Sequence, residues 1–217
     1  MEAVYEKKRE ELFDDLSDMS EIAEEMLQNS IQALDNKDAE LARQVISRDS
    51  VLDNFLITVE EKITRVLNHD KPLVSDCTLT ISILKIASDF ERIGDHATNI
   101  AEIVLEVKDE EYLQPLVMIP ELSEIVREML STVLEAFITR NADLAEAVCR
   151  KDERADNIYE KVYNQTLKLI NKSEGTQNIN QAIRFINVAK SLERIGDHAT
   201  NIGEQTIFLV TGKRVKY

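Results

Sequence analysis

Apolar residues recur along this chain at intervals of three and four, the spacing that keeps them on one side of an α-helix. Ile86, Phe90, Ile93, Ala97, Ile100, Val104 and Val107 form one such stripe. Val45, Leu52, Leu56, Val59, Ile63 and Val66 form another. Polar and helix-breaking clusters separate the periodic runs: Asn36-Lys37-Asp38, Lys71-Pro72, the stretch from Asp109 to Pro120 that holds Pro115 and Pro120, Asn141, and Asn171 to Asn178 with Gly175. Six helical segments of roughly 20–35 residues lie between them, about 30–50 Å long at 1.5 Å per residue. Asp38 and Ser75 are predicted N-caps. An all-β chain needs turn residues every ten positions or so, and five glycines and three prolines in 217 residues do not supply them. The predicted class is all-α.

The pattern is written twice. Residues 91–100 and 193–202 both read ERIGDHATNI, an offset of 102. Upstream the offset is 103. Ala33 and Asp38-Ala39-Glu40-Leu41-Ala42 align with Ala136 and Asn141-Ala142-Asp143-Leu144-Ala145. Asp49, Asp53 and Asn54 align with Asp152, Asp156 and Asn157. The chain is therefore a tandem duplication of a three-helix unit. Its predicted domains are 1–110 and 111–217, joined in the proline-bearing stretch, and two packed three-helix bundles are the simplest architecture.

Within this frame four acid pairs stand at i,i+4: Asp49/Asp53, Glu91/Asp95, Asp152/Asp156 and Glu193/Asp197. Each pair lies one turn apart on one helix face, where like charges repel by on the order of 0.2–0.5 kcal/mol unless neutralised. At 100° per residue, Glu91, Asp95 and Glu102 fall opposite the Ile93–Val104 stripe, with Asn99 beside them. If the second helix lies antiparallel beside the third, four carboxylates share a patch, and the duplication makes a second. With 41 acids in the chain, single pairs arise easily by chance, and a solvated acidic face is the plain alternative. Recurrence at matched positions in both halves favours metal binding.

Charge narrows the partners. Forty-one acids against 26 bases leave a net charge of −15. Such a surface repels nucleic-acid phosphates and acidic membranes and attracts cations and basic protein faces. No apolar run reaches the length of a membrane span, so the chain is not expected to be membrane-embedded, and MEAVYEKKREELFDDL is not a signal peptide. Cys77 and Cys149, without a CxxC, fit buried reduced thiols in a cytoplasmic protein.

Carboxylate oxygens without thiolates suit hard cations: Mg²⁺, Mn²⁺, Ca²⁺ or iron, singly or bridged. Zinc is less natural, because its structural sites prefer Cys and His. His96 and His198 sit between the apolar and acidic stripes, and an interhelical hydrogen bond is their expected role ahead of metal ligation. Gly94 and Gly196 stand mid-helix at a cost of about 1 kcal/mol relative to Ala, which close helix approach explains. Arg92 and Arg194 can pair with neighbouring acids. There is no GxxxxGK[ST] loop, no HExxH and no nucleophile signature. Glu-x-x-x-Asp-His on an outer face departs from the Glu-x-x-His of di-iron bundle enzymes, so no catalytic residue is assigned. A carboxylate-bridged metalloenzyme and a helical scaffold with merely solvated acids remain the alternatives to a binding function.

The paired ERIGDHATNI segments, continued by Ala101-Glu102 and Gly203-Glu204, together with the DxxxD pairs one helix earlier, resemble the PhoU family of phosphate-transport accessory proteins. The resemblance covers essentially the whole chain. It implies a cytoplasmic regulator rather than an enzyme. Such proteins act with the high-affinity phosphate ABC transporter, whose ATPase is the implied contact, and with a phosphate-sensing histidine kinase. They keep phosphate uptake and the phosphate-starvation response off when phosphate is plentiful. It implies two three-helix bundles, with a homodimer as a possible assembly. It also implies multinuclear metal clusters, iron foremost. Carried onto this sequence, the ligands are Asp49, Asp53, Glu91 and Asp95 in one half, and Asp152, Asp156, Glu193 and Asp197 in the other.

Overall fold

The computed structural model describes residues 2–69, 74–112, 118–171 and 176–217. The described residues form six helices: α1 (Glu2–Asn36), α2 (Ala39–His69), α3 (Val74–Val107), α4 (Met118–Ile138), α5 (Ala142–Ile170) and α6 (Thr176–Thr211). The all-α expectation holds. Pro72, Pro115 and Gly175, read as breakers, lie outside the described residues.

The first turn of each half repeats down to its backbone. Lys37 and Arg140 carry φ of 55° and 51°, the left-handed conformation that ends a helix. The following amides, Asp38 N–H and Asn141 N–H, both donate back to a buried alanine carbonyl, Ala33 and Ala136, at 2.9 Å. The Asp38 carboxylate then accepts from Glu40 and Leu41 N–H, and the Asn141 amide oxygen from Leu144 N–H. Each side chain satisfies amides that a helix start leaves without partners. Asp38 is thus the cap that was expected. Ser75 is not a cap, because the helical backbone already begins at Val74. Pro120 sits in the first turn of α4, where its missing N–H has no intrahelical acceptor to lose.

Helices α1, α2 and α3 pack on one another, as do α4, α5 and α6. The two bundles join through α3 against α6 and α1 against α4, while α2 and α5 touch only helices of their own half. The flanks are therefore α2 and α5. The predicted α3 stripe is fully buried from Ile86 to Val107. On α2, Val45, Leu52, Val59, Ile63 and Val66 are buried, while Leu56 is only partly covered. One apolar cluster runs through both halves; Phe13 of α1 meets Phe137 of α4 at 5.4 Å between ring centroids.

Polar contacts close the seam at one end. Tyr112 Oη donates to the Leu34 carbonyl at 2.6 Å, and its ring stands edge-on to Phe185. Arg184 pairs with Glu106 at 2.6 Å, and the buried Gln181 amide donates to Glu110. Of the two thiols, Cys149 is buried between α5 and α6, and burial raises its pKa to about 12. Cys77, expected to be buried, is only half-covered in the first turn of α3.

Candidate metal centre

The two acid patches lie where each flanking helix meets the last helix of its half, α2 on α3 and α5 on α6. Helix packing does bring the sequence-distant pairs into one field. Asp49 is raised first by burial and then by repulsion from Asp95 and Asp53, with Glu102 adding to it. Glu91 is raised by burial and by Asp95, Asp53 and Asp49. In the second half, burial pushes the Asp152 carboxyl up to about 6, and Asp156, Asp197 and Glu193 all repel its charge. Asp156 is raised in the same way, by burial and Asp197. A cation placed among these groups relieves that repulsion directly.

The carboxylates are less exposed than an outer face implies. The side chains of Glu91 and Glu193 are only 16% and 14% exposed, and those of Asp95 and Asp197 33% and 35%. They occupy the groove between helices, while Asp53 and Asp156 stand at its open rim. Basic side chains hold several of them. Arg92 reaches Asp95 at 2.9 Å and Glu91 at 3.4 Å; Arg194 reaches Asp197 at 2.8 Å and Glu193 at 3.6 Å. The pairing proposed for these arginines is therefore present in both copies.

The glycines allow the close approach that was read from their cost. A Cβ on Gly94 would stand 2.4 Å from Leu52 Cδ1. One on Gly196 would stand 3.0 Å from Asp152 Oδ1. Methionines at matched positions, Met26 and Met129, are the next neighbours.

The histidines divide. His198 Nδ1 lies 2.8 Å from Asp89 Oδ1, an interhelical hydrogen bond between α6 and α3. His96 has no hydrogen-bond partner among the described residues. Its ring faces that of His198 at 5.7 Å, and burial followed by the neighbouring His198 lowers its pKa. The repeat explains the asymmetry: at the offset of 102, Asp89 corresponds to Ser191.

Does the donor set fit a metal? The ligand type does: oxygens only, mutually repelling, suited to hard cations. In the second patch Asp152 Oδ1 is buried without a hydrogen bond, while the buried Glu193 Oε2 has only the ion pairs of Lys190 and Arg194 beside it. The Thr200 hydroxyl is close enough to favour ionised Asp152 but makes no hydrogen bond of good geometry with it. In the first patch Thr98 does donate to Asp49, at 3.2 Å. Among the described residues no three Asp, Glu, His or Cys side chains already converge as a cation cage, so ligation requires carboxylates to turn away from the basic groups that hold them.

Sequence reasoning missed two participants. Asp89 anchors His198, and Lys190 Nζ lies 3.1–3.2 Å from the two Glu193 oxygens. Glu102, read as part of the acidic stripe, adds to the field on Asp49. Lys190 was legible in principle, as a basic residue three positions before an acid on a helix.

The chain is thus a duplicated three-helix bundle with a groove of four carboxylates on each flank. The family model described as PhoU domain matches twice, over residues 16–104 and 119–206. The chain is 34% identical over 213 residues to the phosphate-specific transport system accessory protein PhoU homolog of Clostridium acetobutylicum, covering 98% of this chain and 96% of that protein. The Aquifex aeolicus homolog is 34% identical over 97% of this chain and 95% of its own. The crystal structure of PhoU from Pseudomonas aeruginosa superposes with a TM-score of 0.92 at 30% identity, covering 96% of this chain and all of that one. That of the phosphate transport system regulatory protein PhoU from Streptococcus pneumoniae gives 0.90 at 28%, covering 98% and 100%. The chain belongs to the PhoU family. Its relatives are accessory proteins of phosphate transport, and no helix among the described residues is long and apolar enough to cross a membrane.

Proposed function

We propose that this protein is a cytoplasmic, metal-binding regulatory adaptor that restrains high-affinity phosphate uptake and the phosphate-starvation response. It acts by contact with the ATPase of the phosphate ABC transporter and with a phosphate-sensing histidine kinase. The observation that carries the reading is the pair of carboxylate grooves, built at matched positions on opposite flanks of a PhoU fold. Each groove holds four acids, and two in each, Asp49 and Glu91 in the first and Asp152 and Asp156 in the second, have pKa values raised first by burial and further by repulsion from the neighbouring carboxylates; a bound hard cation supplies positive charge there. Asp49, Asp53, Glu91 and Asp95 hold it in the first groove, and Asp152, Asp156, Glu193 and Asp197 in the second; iron is the favoured metal.

The absence of a nucleotide loop and the net charge of −15 route the output through protein surfaces. Rigid helices provide those surfaces, and basic partner faces are drawn to them at modest ionic strength. A reporter for high-affinity phosphate uptake tests this in cells with no copy, the wild type, or a form with all eight acids made amides. Loss of repression in high phosphate without the protein is expected. Normal repression in the empty strain would remove the regulatory role. Full repression by the folded eight-amide form would leave regulation standing without the metal.

A further inference from the structure

The two acid grooves are not electrically equivalent, and one residue adds a positive charge to the second. At the offset of 102, Lys190 of the second half corresponds to Ser88 of the first. Lys190 Nζ stands 3.2 Å from Glu193 Oε1 and 3.1 Å from Oε2. It also draws the Asp156 pKa downward, against the repulsion of Asp197. Its ammonium lies over the Tyr159 ring at 5.2 Å, where the first half has Leu56 at the matching position. Beyond the arginine that both grooves have, the second groove thus carries a further cation, seated on a largely covered acid and steadied by an aromatic face. Ser88 offers the first groove no such charge.

We infer that Lys190 is an internal counter-ion that competes with metal for the second groove. This rests on the metal reading above. An ammonium at 3.1 Å uses the same Glu193 oxygens that a cation would need, and it repels any cation held beside them. Space for its departure is present. Lys190 and Arg194 line a cavity of about 370 Å³ that also contains Glu102, Glu106 and Asn99. A displaced ammonium can swing into it and meet the Glu102 carboxylate, for which no ion pair is formed among the described residues. Cation binding at the second groove therefore displaces the lysine as well as the arginine that both grooves have, whereas at the first groove only Arg92 gives way.

Manganese(II) titrations followed by electron paramagnetic resonance test this on the full chain. In an Asp95→Asn background the second groove is read alone; in an Asp197→Asn background, the first. Adding Lys190→Met to the former, which keeps the apolar stem over Tyr159, is expected to tighten manganese binding about tenfold. Adding Ser88→Lys to the latter is expected to weaken it by a similar factor. Unchanged affinity in the Lys190→Met protein overturns the inference while the metal reading stands. If Lys190→Met does not fold, an unchanged affinity on Ser88→Lys overturns it in its place. Absence of manganese binding in both backgrounds and in the wild type overturns the inference and the metal reading together.

Discussion

The two halves use the same acids over the same glycine, but what lies on that glycine differs. In the first half Leu52 covers Gly94, within 2.4 Å of where a Cβ would stand. In the second the residue matching Leu52 is Ala155, and the Asp152 carboxylate lies over Gly196 in its place. One side-chain exchange thus draws an acid inward. Asp49 keeps a hydrogen bond from Thr98; Asp152 has a buried oxygen without one, and burial pushes its pKa up to about 6. A duplicated motif, identical over ten residues, therefore yields two sites of different depth because the neighbouring helix is not duplicated as faithfully.

The largest expected effect comes from moving that exchange into the first half. Leu52→Ala removes a fully buried side chain and is expected to cost about 3 kcal/mol in denaturant unfolding. It also opens the space over Gly94, so the Asp49 pKa, read by carbon-13 titration, is expected to rise toward that of Asp152. An Asp49 titration unmoved in Leu52→Ala would show that the leucine does not set the depth of the acid.

A smaller effect is expected at Gly203, whose counterpart in the first half is the fully buried Ala101. A Cβ on Gly203 meets Cys149 Sγ at 2.7 Å and the Ala145 backbone oxygen at 3.2 Å. The backbone cannot rotate aside, so Gly203→Ala is expected to lose about 2 kcal/mol by thermal unfolding. A neutral result would mean that α5 and α6 separate as easily as α2 and α3 tolerate an alanine.

The smallest effect is electrostatic. Asp152 binds its proton more tightly folded than unfolded, since its pKa lies at about 6 against the ordinary 3.8. Between those values the folded state holds more protons, so this group lowers stability as pH rises and the penalty is complete above the folded pKa. With chelator present, Asp152→Asn is expected to stabilise the protein at about pH 7 by about 1 kcal/mol, a figure already reduced for solvent screening. The advantage should vanish as the pH approaches about 4. Asp49→Asn should gain less, and equal gains would erase the difference in depth. In the same window manganese binding at the second groove should weaken as pH falls, because protons occupy the oxygen that the cation needs.

Much of this molecule is determined by its sequence alone. Helix stripes, the Asp38 cap, the repeat and the acid pairs are matters of spacing within a few turns, and spacing survives folding unchanged. The glycines could be read because a mid-helix glycine has a local cost that needs an explanation. Tertiary structure alone decided which groups share a field. That Asp152 sits deeper than Asp49, that His198 found Asp89 while His96 met only another ring, and that Lys190 rests on Glu193 and Tyr159 depend on residues contributed by other helices or on competition among side chains. A charge is priced by everything packed around it, and α5 and α3 bring those neighbours from far along the chain.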